Sequence, residues 1–236
     1  MDSATARRIC VTGASGKAGR AVVQELVEHG YEISATDIAT TRDDLEAGVV
    51  RADLTDYGQV LETLKGANAV IHLANIPAPG LGTPAVTFNA NVTMNFNVFL
   101  AAARLGLRRV VWASSETTLG LFFGIGPQQW PSLEAEGVPP RYAPVDEDHY
   151  PLPTSTYALS KVASETVAEH VARWSGIPLR RAPLLQHHGP ERLRGVPVLL
   201  AGSACTQVEP MGVRGRPGRG RRLPPGPRGS RGGRRR

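Results

Sequence analysis

The chain has 236 residues, 41% apolar and 20% charged, enough for one sizeable core or for one and part of a second. Of its 27 basic side chains, ten are arginines in residues 213–236, where no acid occurs; residues 1–212 then hold 17 basic and 21 acidic groups, a net of −4. That balance excludes a basic nucleic-acid face on the folded body, the lack of about 18 consecutive apolar residues excludes a membrane helix, and two cysteines, Cys10 and Cys205, exclude a disulfide framework. No apolar leader core precedes the first strand, so a cytoplasmic location is expected.

Arg8–Val11 reads as a short buried strand, and Ala21–Val27 has the apolar spacing of a helix. Between them runs Val11-Thr12-Gly13-Ala14-Ser15-Gly16-Lys17-Ala18-Gly19-Arg20. A strand that turns into a helix through three spaced glycines is the pattern of a dinucleotide-binding turn. Gly13 permits the tight turn, Gly16 lets the backbone approach a pyrophosphate, and Gly19 lets helix and strand pack closely. The free N–H groups of the helix start then face the phosphates. Residues 31–37 form the second strand, ending in Asp37, eighteen residues after Gly19. A carboxylate there accepts hydrogen bonds from ribose hydroxyls and repels a 2′-phosphate, so NAD is favoured over NADP; Arg42, close behind, is the residue that would suit NADP.

Residues 48–54 read as the third strand, with Asp53 and Leu54 placed to border an adenine; a helix N-cap is the other reading of Asp53. Residues 69–74 are a buried fourth strand, and His72, inside that apolar run, is expected to be a core histidine. A long helix follows over 84–105 and contains Asn91-Val92 and Asn95-Phe96-Asn97. Residues 109–115 are the fifth strand, ending in Ser114-Ser115. The Pro-rich stretch 116–153, with Trp130, Tyr142 and Asp146-Glu147-Asp148, is expected to lie over the carboxyl ends of the strands, where ligands bind. A helix over 154–173 precedes a sixth strand that begins in 176–180. Alternating strands and helices predict a doubly wound parallel sheet with helices on both faces.

Tyr157 and Lys161, four apart on one helix, project from the same face. An ordinary tyrosine has a pKa near 10, and an ammonium beside it, together with the positive nicotinamide ring of a bound cofactor, favours the phenolate; a drop of about three units needs roughly 4 kcal/mol. Such a phenolate takes a hydroxyl proton while hydride leaves, and Ser115 is placed to bond the same oxygen.

Thr12-Gly13-x-x-Gly16-x-x-Gly19, Asp37, Asp53-Leu54, His72-Leu73-Ala74, Asn91-Val92, Ser114-Ser115 and Tyr157-x-x-x-Lys161 occur in one order. Over about residues 7–180 the chain resembles an extended short-chain dehydrogenase/reductase, the NAD-dependent epimerase/dehydratase family. The resemblance implies a Rossmann domain over 1–181 and a catalytic group of Ser115, Tyr157 and Lys161. It implies NAD contacts at Gly13, Ser15, Gly16, Lys17, Gly19, Asp37, Asp53, Leu54, Leu73, Ala74, Asn91, Tyr157 and Lys161, with no metal. Members act mostly on nucleotide sugars or related hydroxyl and carbonyl compounds and are often homodimers; a non-catalytic dinucleotide-binding module or an inactive truncated enzyme is the alternative. Two departures stand out: the usual Gly-Thr after Asn-Val is Met94-Asn95, and Glu116-Thr117 replaces the Asp-Glu pair of sugar dehydratases.

The family pattern stops near Arg181, and residues 213–236 are ten Arg, seven Gly, four Pro and three others, from which no core can be packed. Back-translating Ala182–Val208 and reading one base later permits a string containing Leu-Arg-Phe-Ser-Asn, and the same shift further on permits Tyr-Val-Asp, both family motifs. A frame change near residue 181 is therefore expected, with 182–236 a non-family, disordered tail and the C-terminal substrate domain missing.

Overall fold

A computed structural model describes residues 8–39, 48–119 and 151–184. Arg42, Trp130, Tyr142, the acidic group 146–148, Cys205 and the tail beyond residue 184 lie outside the described residues. The strands are β1 (Arg8–Thr12), β2 (Glu32–Asp37), β3 (Val49–Arg51), β4 (Ala69–His72), β5 (Arg109–Ser115) and β6 (Leu179–Leu184). The helices are α1 (Lys17–Glu28), α2 (Tyr57–Leu64), α3 (Pro84–Arg104) and α4 (Thr156–Ser175), with a 3₁₀ turn at Glu116–Leu119. All pairings are parallel, in the order β3-β2-β1-β4-β5-β6. This is the Rossmann order, and its reversal lies between β1 and β4.

Side chains that alternate along each strand feed two cores, one on each face of the sheet. Ile9, Val11, Ala69, Ile71 and Val111 pack with Val22, Val23 and Leu26 of α1. Cys10, Val70, Val110 and Trp112 point the other way, onto Val60 and Leu64 of α2, Val98 and Phe99 of α3, and Ala168 and Val171 of α4. Phe99 stands edge-on to both Trp112 and His72, with ring centroids 5.3 and 6.2 Å away. The sheet and its two helical layers are thus what the alternation of elements predicts.

Local chemistry sets the element ends. Thr83 caps α3 ahead of Pro84 at the first helical position, and Ser155 caps α4, its Oγ accepting from the Ala158 N–H. Gly176, at φ 72°, closes α4 in the left-handed region. The sequence reading assigned no helix to 57–64; Asp56 caps it by accepting from the N–H groups of Gly58 and Gln59. The capping role considered for Asp53 therefore belongs to Asp56, and Asp53 instead accepts from the backbone and hydroxyl of Thr55. β6 runs to Leu184, three residues beyond the boundary expected at 181, and its ladder follows β5 from Val110↔Leu179 to Ser115↔Leu184.

Candidate active site

The carboxyl ends of β1, β2, β4 and β5 meet the starts of α1 and α4, and most sequence-predicted residues lie there; Asp53 and Leu54 follow β3, and Asn91 lies on α3. The turn after β1 is fixed by contacts that exclude side chains. Gly13 has φ 71°, and a Cβ on it would sit 2.6 Å from the Ala74 nitrogen; a Cβ on Gly19 would sit 2.1 Å from the Gly13 carbonyl oxygen. Leu73 and Ala74 therefore press against the turn. Gly16 differs. Its φ is −70°, open to any residue, and a Cβ there would meet only the Gly13 oxygen, at 3.4 Å. Nothing in the fold itself demands a glycine at 16, so the cradle over it is open to a ligand.

Gly16 is also the N-cap of α1, which has no side-chain cap and no acid in its first turn, leaving its positive end to an anion. Lys17 is the first residue of that helix. Asp37 lies across the turn, accepting from the N–H of Ser15 at 2.9 Å and of Ala39 at 3.2 Å, while the Ser15 hydroxyl donates to the Ala39 carbonyl. Leu54 is 4% exposed and packs in the core, and its carbonyl accepts from Asn97 of α3, so its side chain is not free to border a ligand. Asn91 is wholly buried. Its carbonyl oxygen accepts from the Ile76 N–H at 2.8 Å, and its amide donates to the Ile76 carbonyl and to Ser160 of α4. It clamps the loop after β4 onto the helix that carries Tyr157 and Lys161.

Ser115 ends β5, and Tyr157 and Lys161 lie one turn apart on α4. The Ser115 hydroxyl bonds the Tyr157 phenol and accepts from the Thr117 hydroxyl at 3.0 Å. Lys161 Nζ stands 5.7 Å from the centre of the Tyr157 ring and donates to Asn75 Oδ1 at 2.8 Å and to the Ala113 carbonyl at 2.9 Å. Among the protein's own groups, burial works against the phenolate expected at Tyr157. Burial pushes the Tyr157 phenol above its usual pKa; the Ser115 hydrogen bond pulls it back and the Glu116 carboxylate adds to the rise. Burial brings Lys161 down to about 7, against the pull of Glu165 one turn on. A lysine buried this deeply does not hold a full charge at neutral pH, so it cannot alone make the neighbouring phenol acidic.

His72 is the buried core histidine that its apolar run predicts. Burial, and then the charge of Lys161, take it down to about 3, so it stays neutral. Sequence reasoning missed Asn75 and the site role of Asn95, although asparagine in a buried helix interior is a signal, because its amide must be satisfied there. No cluster of metal-ligating side chains occurs among the described residues, and no described helix is long and apolar enough to cross a membrane.

Three comparisons bear on this arrangement. The model of the NAD dependent epimerase/dehydratase family matches residues 9–201. The NAD-dependent glucose-6-phosphate dehydrogenase of Haloferax volcanii is 28% identical over 214 residues, covering 84% of this chain and 76% of that protein. A short-chain dehydrogenase/reductase superfamily protein from Agrobacterium tumefaciens, solved with bound NAD, superposes with a TM-score of 0.62 at 27% identity, covering 75% of this chain and 48% of the other. A UDP-galactose 4-epimerase structure gives 0.60 at 31% identity, covering 75% and 55%. The chain thus spans about half the length of these solved proteins.

Proposed function

Because this chain belongs to the NAD-dependent epimerase/dehydratase family, we propose that it transfers hydride between NAD and a hydroxyl or carbonyl carbon of a sugar-like or nucleotide-sugar substrate, with Tyr157 as the acid–base group. The observation that carries this reading is the convergence of Ser115, Tyr157 and Lys161 beside the glycine turn. The residues present fit a dinucleotide. Gly16 is a glycine that the protein's own packing does not need, and it stands at the uncapped start of α1. Gly13, Ser15, Gly16, Lys17 and Gly19 would hold the pyrophosphate, Asp37 the ribose hydroxyls, Asp53 and the Leu54 backbone the adenine, and Leu73, Ala74, Tyr157 and Lys161 the nicotinamide end. NAD, when bound, supplies the hydride donor or acceptor.

The chain's own residues handle the proton. Burial keeps the Tyr157 phenol protonated, ready to donate from Oη to a carbonyl oxygen that Ser115 Oγ also bonds. In the oxidising direction the phenol first releases its proton to solvent; the phenolate so formed, stabilised by Ser115 and by Lys161 when charged, then takes the substrate hydroxyl proton at Oη. Asn91 keeps the loop at Ile76 in register with α4, so that this geometry is set before substrate arrives.

The test is a panel of sugars, uronic acids and nucleotide sugars with NAD, followed by absorbance of the reduced cofactor, for the wild-type chain and Tyr157→Phe. A loss of about 10²- to 10⁴-fold in turnover with NAD affinity kept is expected. Equal turnover in the two proteins removes Tyr157 from the reaction.

A further inference from the structure

The hydrogen bonds behind Lys161 form a directed chain that reaches back to Thr12, at the end of the strand that leads into the glycine turn. The Ala74 N–H donates to Thr12 Oγ1 at 3.5 Å, so the Thr12 hydroxyl proton is available to His72 Nδ1, 2.7 Å away. Neutral His72 then carries its proton on Nε2 and donates to Asn95 Oδ1 at 2.8 Å. At the other end of the same amide, Ser164 donates its hydroxyl to the Ser160 carbonyl, so its oxygen accepts from Asn95 Nδ2 at 2.7 Å. Both faces of the Asn95 amide are thereby fixed. Asn75 pairs with it reciprocally: Asn75 Nδ2 donates to Asn95 Oδ1 at 3.0 Å, and Asn75 Oδ1 accepts from Asn95 Nδ2 at 3.3 Å. The Asn75 amide nitrogen also donates to the Ala74 carbonyl. Asn75 cannot flip without losing these bonds, and its oxygen is left aimed at Lys161.

We propose that Asn75, locked by its amide pair with Asn95, is a positioning residue that seats the Lys161 nitrogen between its own carbonyl oxygen and that of Ala113, facing Tyr157. This rests on the reading of Tyr157 and Lys161 given above. Two neutral acceptors match the two protons of an uncharged amine, and they leave its lone pair, or the third proton of an ammonium, for the tyrosine side. The seat thus serves both protonation states without a carboxylate in contact. The titratable groups around it are few. Glu165 lies one turn along α4 and is held by the Ser114 hydroxyl of β5 and by Arg181 of β6. His72 of β4 is neutral. Tyr157 shares α4, and Glu116, on the 3₁₀ turn, acts on Tyr157. From α3 the bonds reaching this seat come from the Asn95 amide.

The chain contains only three lysines, Lys17, Lys65 and Lys161. Lysine labelled with ¹³C at Cε therefore gives three NMR signals, and the one lost in Lys161→Met reports the seat with no substrate or cofactor added. Two side chains of similar size at position 75 should move its titration midpoint in opposite directions. Asn75→Asp is expected to raise it by about one pH unit or more. Asn75→Leu, which removes an acceptor from the charged form, is expected to lower it, and Asn95→Thr to lower it less, by freeing the Asn75 amide to turn. Lys17 and Lys65 should titrate as in wild type and report an intact fold. If Asn75→Leu does not fold, Asn75→Asp and Asn95→Thr carry the test. Midpoints that stay at the wild-type value in the folded variants overturn the proposal. They do so whether or not the protein turns over a sugar, so failure here is distinct from failure of the Tyr157 assignment.

Discussion

Gly16 and Gly19 look equivalent in the motif but carry different burdens. A methyl group on Gly19 would drive into the Gly13 carbonyl, a backbone atom that has nowhere to go, whereas one on Gly16 makes an ordinary contact. Gly19→Ala is therefore expected to cost about 3 kcal/mol or more in chemical denaturation. Gly16→Ala should melt within a few degrees of wild type yet bind NAD at least tenfold more weakly by calorimetry. His72 supplies a second residue-level outcome. Its folded pKa of about 3 lies below the ordinary 6.5, so the unfolded chain binds the extra proton between those values. The stability this neutral histidine contributes is complete above pH 6.5 and is lost as pH falls towards 3, by roughly 5 kcal/mol in all. Denaturation across that range should show the steep limb in wild type and a flatter one in His72→Gln, which keeps a donor towards Asn95. His72 was legible as a core residue because it sits in an unbroken apolar run. Its bonding role was not, since its partners, Thr12 and Asn95, are 60 and 23 residues away in the chain.

Among elements, α3 and α4 do most to shape the site. Three asparagines of α3 are buried, and each amide is spent on a different neighbour: Asn91 on Ile76 and Ser160, Asn95 on His72, Asn75 and Ser164, and Asn97 on the carbonyls of Leu54 and Thr55. Asparagine is a poor helix former, so a sequence that places three of them inward has traded propensity for fixed loops. α4 contributes Glu165, which joins it to β5 through Ser114 at 2.5 Å and to β6 through Arg181 at 2.9 Å. The Arg181 side chain is a third exposed, so Glu165→Gln should cost only about 1 kcal/mol in urea. The same change removes the charge that supports protonated Lys161, and the ¹³C titration midpoint of Lys161 should fall. The strands and long helices were readable from periodicity. α2 is hard to read in the sequence because its eight residues are bounded by Asp56 and Lys65 and offer only two fully buried positions, Val60 and Leu64.

At the scale of the molecule, the strand order and the two cores follow from strands that are apolar on both faces, which only helices on either side can cover. Substrate specificity is expected in residues 75–85 and 116–153, whose sequences carry no such periodic apolar signal, and in the missing C-terminal part. The family model runs to residue 201, past the point near Arg181 where the family pattern is expected to stop; the frame change remains our proposal. Restoring the shifted frame is expected to raise turnover on the preferred sugar and to raise the melting temperature. A coding DNA whose codons cannot spell the family motifs after a one-base shift rules the idea out.

β5 carries Ser115 as its final residue, and the register partner of Ser115 is Leu184 on β6. Among the described residues β6 is an edge strand and this rung is its last, the kind of position that frays first in a sheet. Amide exchange along 179–184 should accordingly set the useful lifetime of the preparation. On the proposal that the Ser115 hydroxyl bonds the substrate oxygen, turnover is expected to fall before helical dichroism does as a sample ages, which paired rate and dichroism measurements check.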